Sequence, residues 1–580
     1  MKELKHLNKY FYKYKFHFLG GILITIIAQI ITLYAPKLIG ESINVLENVN
    51  ESAQAKIDAI SLNIFWVIVT TLIAGFFTFL MRQSLIVMSR HIEYDLKNEI
   101  FTKYEQLSQE FYKNNRIGDL MNRISEDVGK VRQYTGPAVM YTINTFIRFA
   151  VVLVQMYIIS PKLTFYTLIP LPLLSYFIYK VSTEINIRSG AFQANLSTLS
   201  SFTQETFSGI HVVKANGIEQ RKFDEVKELS KQSKEKNLSL VKVNALFGPL
   251  MILLIGLSNL IVIYIGGKMY IQGTIADIGI IAQFILYINM LIWPVASLGW
   301  VSTMIKEAEA SQQRINEFLK VEPTIKNTVT ATKPIQGAIT FNNVTFTYPD
   351  TGITALKNVS FHVNPGETLA ILGNTGSGKS TILNLISRLY DTNSGEVLID
   401  GIATPNHNLY NLRYNVAVVP QDAFLFSDTI ANNIKFGKKD ATQEEIENAA
   451  KTAHVHHNII DFKKGYKTIL GERGISLSGG QKQRISIARA IIKDVPILLF
   501  DDCLSAVDVE TEEAILKNLK QSTQNKTAII VTHRISAAFN ADKIIVLDDY
   551  QVAESGTHDE LIALNGYYKN LFEKQIHNKK

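Results

Sequence analysis

Six long apolar runs in the N-terminal half of this 580-residue chain constrain its fold more than any other feature. Each run is nearly or wholly free of Asp, Glu, Lys and Arg, and each approaches or exceeds the ~20 helical residues that cross a membrane. They are Phe16–Pro36, Ala59–Met81, Gln133–Pro161, Leu163–Tyr179, Val243–Gly267 and Ile278–Ile305. One or two such runs could be buried helices of a large soluble protein. Six in succession predict a polytopic membrane domain.

The excess positive charge lies entirely in this half of the chain. Residues 1–320 carry 32 Lys and Arg against 24 Asp and Glu, whereas residues 321–580 carry 27 against 28. Most of the basic residues of the first half fall before the first run or in the segments 82–135 and 180–243. Because cytoplasmic segments retain Lys and Arg, both termini are predicted to be cytoplasmic. The net charge of +7 therefore indicates membrane orientation and not a nucleic-acid partner.

The two basic segments are predicted to be long helical extensions of the spans. Segment 82–135 lacks proline and alternates charge at helical spacing, and segment 180–243 behaves in the same way. Each contains one break in its helical pattern, near Gly118 in the first and near Gly209 in the second. Two helix pairs joined at a tip well below the membrane would suit docking to a cytoplasmic domain.

A second domain follows a polar, proline-punctuated stretch. We place the membrane domain at residues 1–320, a linker at 321–336 and a second domain at 337–580. Short β-rich runs alternate with helical patterns after Gly337, which predicts an α/β domain.

A phosphate-binding loop is indicated where the strand 368–372 leads into a Gly-rich segment and then a helical pattern. Its residues are Gly373, Asn374, Thr375, Gly376, Ser377, Gly378, Lys379, Ser380 and Thr381. The glycines let backbone N–H groups close around phosphate oxygens at the positive N-terminus of a helix. Lys379 is predicted to reach the β- and γ-phosphates, and the Ser380 hydroxyl to hold Mg²⁺.

Two further motifs favour a nucleoside triphosphatase. The apolar strand Ile497–Phe500 ends in Asp501 and Asp502, which brings a carboxylate to the Mg²⁺ shell beside the phosphates. Between the two motifs, a helix start that follows Leu477 forms a second anion site from Ser478, Gly479, Gly480 and Gln481. One triphosphate does not need two such sites on one chain. We therefore expect the second site to bind the γ-phosphate held by a neighbouring chain.

These motifs together resemble the nucleotide-binding domain of ATP-binding cassette (ABC) transporters. Six spans followed by one such domain resemble an exporter half-transporter of the multidrug and lipid-flippase type. The resemblance covers nearly the whole chain, and the pentapeptide Leu477–Gln481 is its most specific element. It implies an all-α transmembrane domain of six helices with long cytoplasmic extensions, joined to an α/β P-loop NTPase domain. It also implies a transport-coupled ATPase that uses ATP and Mg²⁺, with a second half-transporter as partner.

The resemblance also assigns roles to single residues. It implies that Tyr348 stacks on adenine, that Gln421 senses Mg²⁺ and faces the transmembrane helices, and that His533 is the γ-phosphate switch. Asp508 is implied to link the two ATP sites, and Thr468–Gly474 to contact the partner's helix tips. The two breaks in the cytoplasmic segments are implied to lie near the coupling elements.

Asp502 departs from the family pattern, which has glutamate at this position to polarise the attacking water. Removing one methylene withdraws the carboxylate by about 1.5 Å, and a misplacement of about 1 Å costs ~100-fold in rate. One interpretation is a homodimeric exporter or lipid flippase with slow ATPase activity. The other, which we favour, is the weakly hydrolysing subunit of a heterodimer, since the signature Leu477–Gln481 is intact. An ATP-gated channel is a less favoured alternative.

Arg148 interrupts the third apolar run, where an unpaired charge costs roughly 2.5–3.5 kcal/mol or more. It is our candidate for a substrate cavity that holds an anionic head group or drug, and snorkelling or pairing within the bundle explains it equally well. The predicted function is ATP-driven export or flipping of hydrophobic or amphipathic drugs or lipids. It would proceed by alternating access in a dimer, among the lipids of a bacterial-type plasma membrane.

Overall fold

The computed structural model of the protein describes residues 2–48, 52–471, 474, 477–504, 507, 509–522 and 525–577. The chain separates into two compact units. The first, here called the membrane unit, consists of residues 1–104 and 118–321. The second, the nucleotide unit, consists of residues 105–117 and 322–580. Residues 105–117 interrupt the membrane unit in sequence, yet they belong to the nucleotide unit by their contacts.

The N-terminal part of the chain contains helices and no strands among its described residues. Its α-helices are α1 Asn8–Lys13, α2 Lys15–Thr32, α3 Tyr34–Glu47, α4 Ala53–Gln106, α5 Gln109–Asn114, α6 Ile117–Asn122, α7 Val128–Gln133, α8 Val139–Ile159, α9 Pro161–Leu168, α10 Pro170–Ser208, α11 Ile210–Ala215, α12 Glu219–Ile271 and α13 Gly279–Leu319. A 3₁₀ turn precedes α1, and two π-helical turns flank α7. The helices α4, α10 and α12 extend well beyond the apolar runs, as the charge pattern predicts, and α13 also extends beyond its run.

Five helical stretches are long and apolar enough to cross a membrane, against the six predicted. Among the described residues they are Lys15–Glu47, Ala53–Gln106, Ile117–Ile159, Glu219–Ile271 and Gly279–Leu319. The fourth predicted run, Leu163–Tyr179, is divided between α9 and α10 at Ile169. Pro170 has no backbone N–H to continue the hydrogen-bond ladder of α9, so it begins a new helix.

The helices of the membrane unit pack through small residues and shared apolar clusters. Residues from α8, α9, α12 and α13 form one such cluster, which includes Met156, Val262 and Phe284. The N-terminal end of α13 approaches α3 closely, because a Cβ at Gly279 would lie 2.0 Å from the Gly40 carbonyl oxygen. Small residues at such crossings allow the backbones of membrane helices to come together. Many large apolar side chains stay exposed along these helices, as expected of lipid-facing surfaces.

The nucleotide unit contains two sheets and ten further helices among its described residues. Its strands are β1 Ile339–Thr347, β2 Thr354–Val363, β3 Thr368–Gly373, β4 Ser394–Ile399, β5 Ile402–Ala403, β6 Val416–Val419, β7 Ile497–Asp501, β8 Thr527–Val531, β9 Lys543–Asp548 and β10 Gln551–Gly556. Its helices are α14 Lys379–Ile386, α15 Leu409–Tyr414, α16 Ile430–Lys435, α17 Gln443–Thr452, α18 His456–Ile460, α19 Gly479–Ile491, α20 Val509–Ser522, α21 Ile535–Ala538, α22 His558–Ala563 and α23 Tyr567–His577.

The larger sheet sets the position of the predicted site. Its strand order is β10-β9-β3-β8-β7-β6, and all neighbours except β10 and β9 pair in parallel. The smaller sheet, β2-β1-β4-β5, is antiparallel. Both faces of the central strands are covered, which explains why these strands are continuous apolar runs. In such sheets ligands bind at the carboxyl ends of the parallel strands, where the chain carries its phosphate loop, Asp501 and His533.

Candidate functional site

The phosphate loop follows β3 and is shaped by glycines in backbone conformations that other residues avoid. Gly376 and Gly378 have φ of 85° and 96°, and a Cβ at Gly378 would lie 2.1 Å from the Ala355 carbonyl oxygen. The loop leads directly into α14, whose first residue is Lys379. The buried Lys379 Nζ donates to the carbonyl oxygens of Gly373 at 2.9 Å and Asn374 at 2.7 Å. The lysine is therefore held within the loop that the sequence pattern predicts to bind phosphate.

A hydroxyl–carboxylate pair lies beside the loop. The Ser380 hydroxyl donates to Asp501 Oδ1 at 2.8 Å, which joins the start of α14 to the end of β7. Burial raises the pKa of Asp501, and the Ser380 hydrogen bond and the Lys379 charge oppose that rise. Burial also lowers the pKa of Lys379, against the opposing charges of Asp502 and Asp501. Lys379, Asp501 and Asp502 therefore lie close enough for their charges to affect the pKa values of Lys379 and Asp501.

Asp502 lies in the left-handed backbone region with φ of 42°, a conformation that Asp tolerates better than most residues. Its backbone N–H donates to the Val531 carbonyl at 2.9 Å, which ties it to the strand that leads to His533. Burial raises its pKa, and the charges of His533, Lys379 and Arg534 oppose that rise. The carboxylate therefore lies within electrostatic range of both the phosphate-loop lysine and the predicted switch histidine.

Tyr348 lies beside the phosphate loop and contacts the first turn of α14. Its hydroxyl lies 3.0 Å from Thr381 Oγ1 on α14. Its ring packs edge-on against Phe346 and Tyr390, with centroids 4.9 Å and 5.4 Å away. An aromatic ring is thus fixed beside the phosphate loop, where a planar base can stack on it.

Most of the predicted residues line one cavity of about 400 Å³, here called the phosphate-loop cavity. Those on its wall are Tyr348, Thr375, Gly376, Gly378, Lys379, Ser380, Thr381, Gln421, Asp501, Asp502 and His533. Gly373, Asn374 and Ser377 belong to the loop itself, and the Asn374 Oδ1 accepts from the Tyr567 hydroxyl at 2.8 Å. This cavity is therefore lined by residues of β1, β3, β6, β7 and β8 or of the segments that follow these strands.

The signature residues do not line this cavity. Ser478 caps α19: its Oγ accepts from the Gln481 N–H at 3.3 Å, and the Gln481 Oε1 accepts from the Ser478 N–H at 3.0 Å. Ser478 and Gly479 are exposed, while Gly480 and Gln481 are half-buried. The helix start is connected to the cavity indirectly, because Gln483 Nε2 donates to the carbonyl oxygen of Gln421 at 3.3 Å.

Several predictions concern residues away from the cavity. Asp508 lies outside the described residues, as do Glu472 and Arg473 in the predicted contact segment. In the membrane unit, Arg148 Nε donates to Gln29 Oε1 at 2.8 Å, and Gln29 Nε2 donates to Asn144 Oδ1 at 2.6 Å. Within the described part of the chain no carboxylate pairs with Arg148. The acceptor of its Nε–H, the Gln29 amide oxygen, is neutral.

Two features of the nucleotide unit were missed by the sequence analysis. Lys113 also lines the phosphate-loop cavity, although it is distant from the loop in sequence. An exposed aromatic patch consists of Phe424, Phe426 and Phe436, whose centroids are 5.2 Å and 4.9 Å apart in succession. The alternation of two Phe just after Gln421 was the available signal for the patch.

The fold and the site define an ABC transporter half with its own membrane domain. The ABC transporter family matches residues 356–505, and the ABC transporter transmembrane region matches residues 18–295. The chain belongs to the ABC transporter family. Its α/β nucleotide-binding domain and helical transmembrane domain make it a multi-pass membrane ATPase coupled to transport, of the exporter type. Half-transporters of this kind function as dimers.

Similar proteins span nearly the whole chain. The Escherichia coli multidrug resistance-like ATP-binding protein MdlA is 35% identical over 99% of this chain and 97% of its own length. An ATP-dependent lipid A-core flippase of Pseudomonas fluorescens is 33% identical over 86% of this chain and 82% of its own. The ATP-bound structure of a bacterial Atm1-family ABC exporter superposes with a TM-score of 0.81 at 26% identity, covering 96% of this chain and 99% of that one.

Proposed function

We propose that the chain exports or flips amphipathic substrates across a bacterial-type plasma membrane by alternating access, with both termini in the cytoplasm. The observation that carries the proposal is the separation of the phosphate-loop cavity from the exposed signature at the start of α19. Two chains arranged so that each signature meets the other's cavity enclose two ATP molecules. Closure of this pair opens the membrane domains outward, and hydrolysis resets them.

The cavity residues act on ATP in this proposal as follows. Tyr348 stacks on adenine, the loop amides and Lys379 bind the β- and γ-phosphates, and His533 contacts the γ-phosphate. Ser380 and Asp501 offer hard oxygen ligands on one side of the loop, with the Gln421 side chain on the same cavity wall. This donor set fits Mg²⁺. When bound, Mg²⁺ neutralises charge on the transferring phosphates.

Asp502 limits hydrolysis in this cavity. Its shorter side chain reaches less far toward the attacking water than the usual glutamate, so this chain binds ATP and turns it over slowly. The intact signature completes an active cavity on a partner that supplies glutamate, which makes a heterodimer the favoured assembly. The purified chain alone in lipid should show near-background ATPase activity. Turnover similar to that of active exporters would instead support a homodimer with a competent site.

The dimer is coupled through the cytoplasmic tips. The second tip, residues 207–217 around α11, presents Phe207 and Val212 with 67% and 63% of their surface exposed. We propose that this tip packs against the aromatic patch of the partner's nucleotide unit, because both surfaces are apolar and exposed. Val212→Asp and Phe426→Asp should each abolish transport while ATP binding persists. Leu564→Asp, a change at another exposed apolar residue, is the control. Transport retained in both tip and patch variants would contradict the assignment.

Arg148 confers a preference for anionic amphipathic substrates. The hydrogen bonds from Arg148 to Gln29 and from Gln29 to Asn144 orient the guanidinium without neutralising its charge. A charge within a membrane span requires a counter-charge or water. A carboxylate or phosphate head group satisfies both the charge and the remaining N–H donors. Arg148→Ala should reduce transport of anionic substrates more than that of cationic ones, and Arg148→Lys should keep part of the preference. Equal losses for both substrate classes would refute this assignment.

A further inference from the structure

The first cytoplasmic tip places a lysine inside the nucleotide unit. The tip, residues 107–117 around α5, is grouped with the nucleotide unit by its contacts. Ser108 and Thr324 share a hydrogen bond of 2.7 Å between their hydroxyl oxygens, which fixes the start of α5 to the chain beyond α13. Lys113 lies near the end of α5 and reaches the wall of the phosphate-loop cavity.

The Lys113 ammonium lies over the ring that the proposed function assigns to adenine. Its Nζ is 4.3 Å from the centroid of Tyr348 and 5.3 Å from that of Tyr390. Burial opposes the charge, but the Tyr390 hydroxyl and the neighbouring Tyr348 and Asp350 raise the pKa of Lys113. The lysine is therefore a stable cation on an aromatic face, an arrangement that is attractive on electrostatic grounds.

Tyr348 connects this cation to the phosphate loop. Its hydroxyl is hydrogen-bonded to Thr381, so Tyr348 contacts both Lys113 and the first turn of α14. Lys113 and Thr381 both lie on the wall of the same cavity. A purine that enters the cavity to stack on Tyr348 meets the ammonium already on the ring.

We propose that Lys113 and adenine compete for Tyr348, so that nucleotide binding displaces Lys113 from the ring and weakens the attachment of the first tip to the nucleotide unit. Two ligands that exclude each other at one ring weaken each other by the same factor, as linkage requires. The first tip then reports on occupancy by the base, independently of hydrolysis. Lys113 is a positioning residue in this scheme, because it acts through Tyr348 and not on the reacting phosphates. The inference rests on the proposed role of Tyr348.

The test compares MgATP with magnesium tripolyphosphate, which carries the phosphates without a base. Binding of each to the full-length protein in lipid nanodiscs is measured by calorimetry, and the ratio of the two affinities is the readout. Because removing a positive charge affects both ligands alike, the ratio isolates the base. Lys113→Ala should raise the preference for ATP about two- to fivefold, the range that follows from a typical cation on an exposed ring. Lys113→Arg should leave the ratio near that of the unaltered protein.

Two further variants make the result decisive. Lys214→Ala, the matched change on the second tip, should leave the ratio unchanged. An unchanged or lower ratio in Lys113→Ala would overturn the competition. Tyr348→Ala should lose ATP affinity but keep tripolyphosphate affinity. If Tyr348→Ala instead binds ATP normally, the proposed adenine stacking fails, which is distinguishable from failure of the competition.

Discussion

The phosphate-loop cavity and the signature at the start of α19 lie in the same unit, yet they are built in opposite ways. The cavity is assembled internally: loops after several strands converge, and Lys379 and Asp501 are held by hydrogen bonds within the chain. The signature is an exposed helix start whose first N–H groups are capped by its own side chains. Under the proposed function, this difference means that one chain binds ATP by itself but needs a second chain to use its signature.

The largest effect should come from Lys379→Ala, which removes the buried cation on the wall of the phosphate-loop cavity. In a chain that also carries Asp502→Glu, ATP hydrolysis in this cavity should fall by about 10²–10³-fold, as for loss of a preorganised charged donor. ATP binding to the isolated chain should weaken. Calorimetry and ATPase assays provide the measurement. The exposed Lys439→Ala is the charge-matched control. Normal ATP binding by Lys379→Ala would show that the cavity is not self-contained.

Asp502→Glu should restore the missing reach of the carboxylate and raise hydrolysis by up to ~100-fold. The isolated chain in lipid is the sample, because any turnover there depends on its own cavity and signature. Asp502→Asn, which keeps the size but removes the charge, should not increase turnover. A glutamate variant as slow as the original chain would mean that another residue limits hydrolysis.

Ser478→Ala should distinguish the signature from the cavity, because it spares ATP binding by the isolated chain. Loss of a hydrogen bond to a charged phosphate predicts roughly tenfold slower hydrolysis in the assembled dimer. The same change costs about 1 kcal/mol of helix stability through the lost cap. Thr557→Ala removes an equivalent capping box from α22 and controls for stability alone. Equal losses of activity in both variants would make Ser478 purely structural.

The smallest effect concerns pH. Since burial raises the pKa of Asp502, the folded chain holds this proton more tightly than the unfolded chain, and stability from this group grows as pH falls through the raised pKa. Asp502→Asn should therefore increase the unfolding temperature at neutral pH, and the difference should shrink on acidification. Thermal unfolding of both proteins from pH 7 to pH 4 measures it. Ser478→Ala should show no such convergence.

Much of the cavity was predictable because its motifs are contiguous. Gly373–Thr381 specify a loop between a strand and a helix through local backbone preferences, and Ile497–Phe500 specify a buried strand that delivers Asp501. Parallel pairing then brings both to one edge of the sheet, as the pattern of apolar strands implies.

The class of the protein could be identified from local composition and spacing, because apolar runs of membrane length, a phosphate loop and a signature pentapeptide are all local features. Other features are visible only in three dimensions: Lys113 lies over Tyr348, Gln29 and Asn144 orient Arg148, and Phe424, Phe426 and Phe436 form one patch. These groupings join residues from different elements. Their distances depend on how helices and strands pack, and no local pattern records that packing.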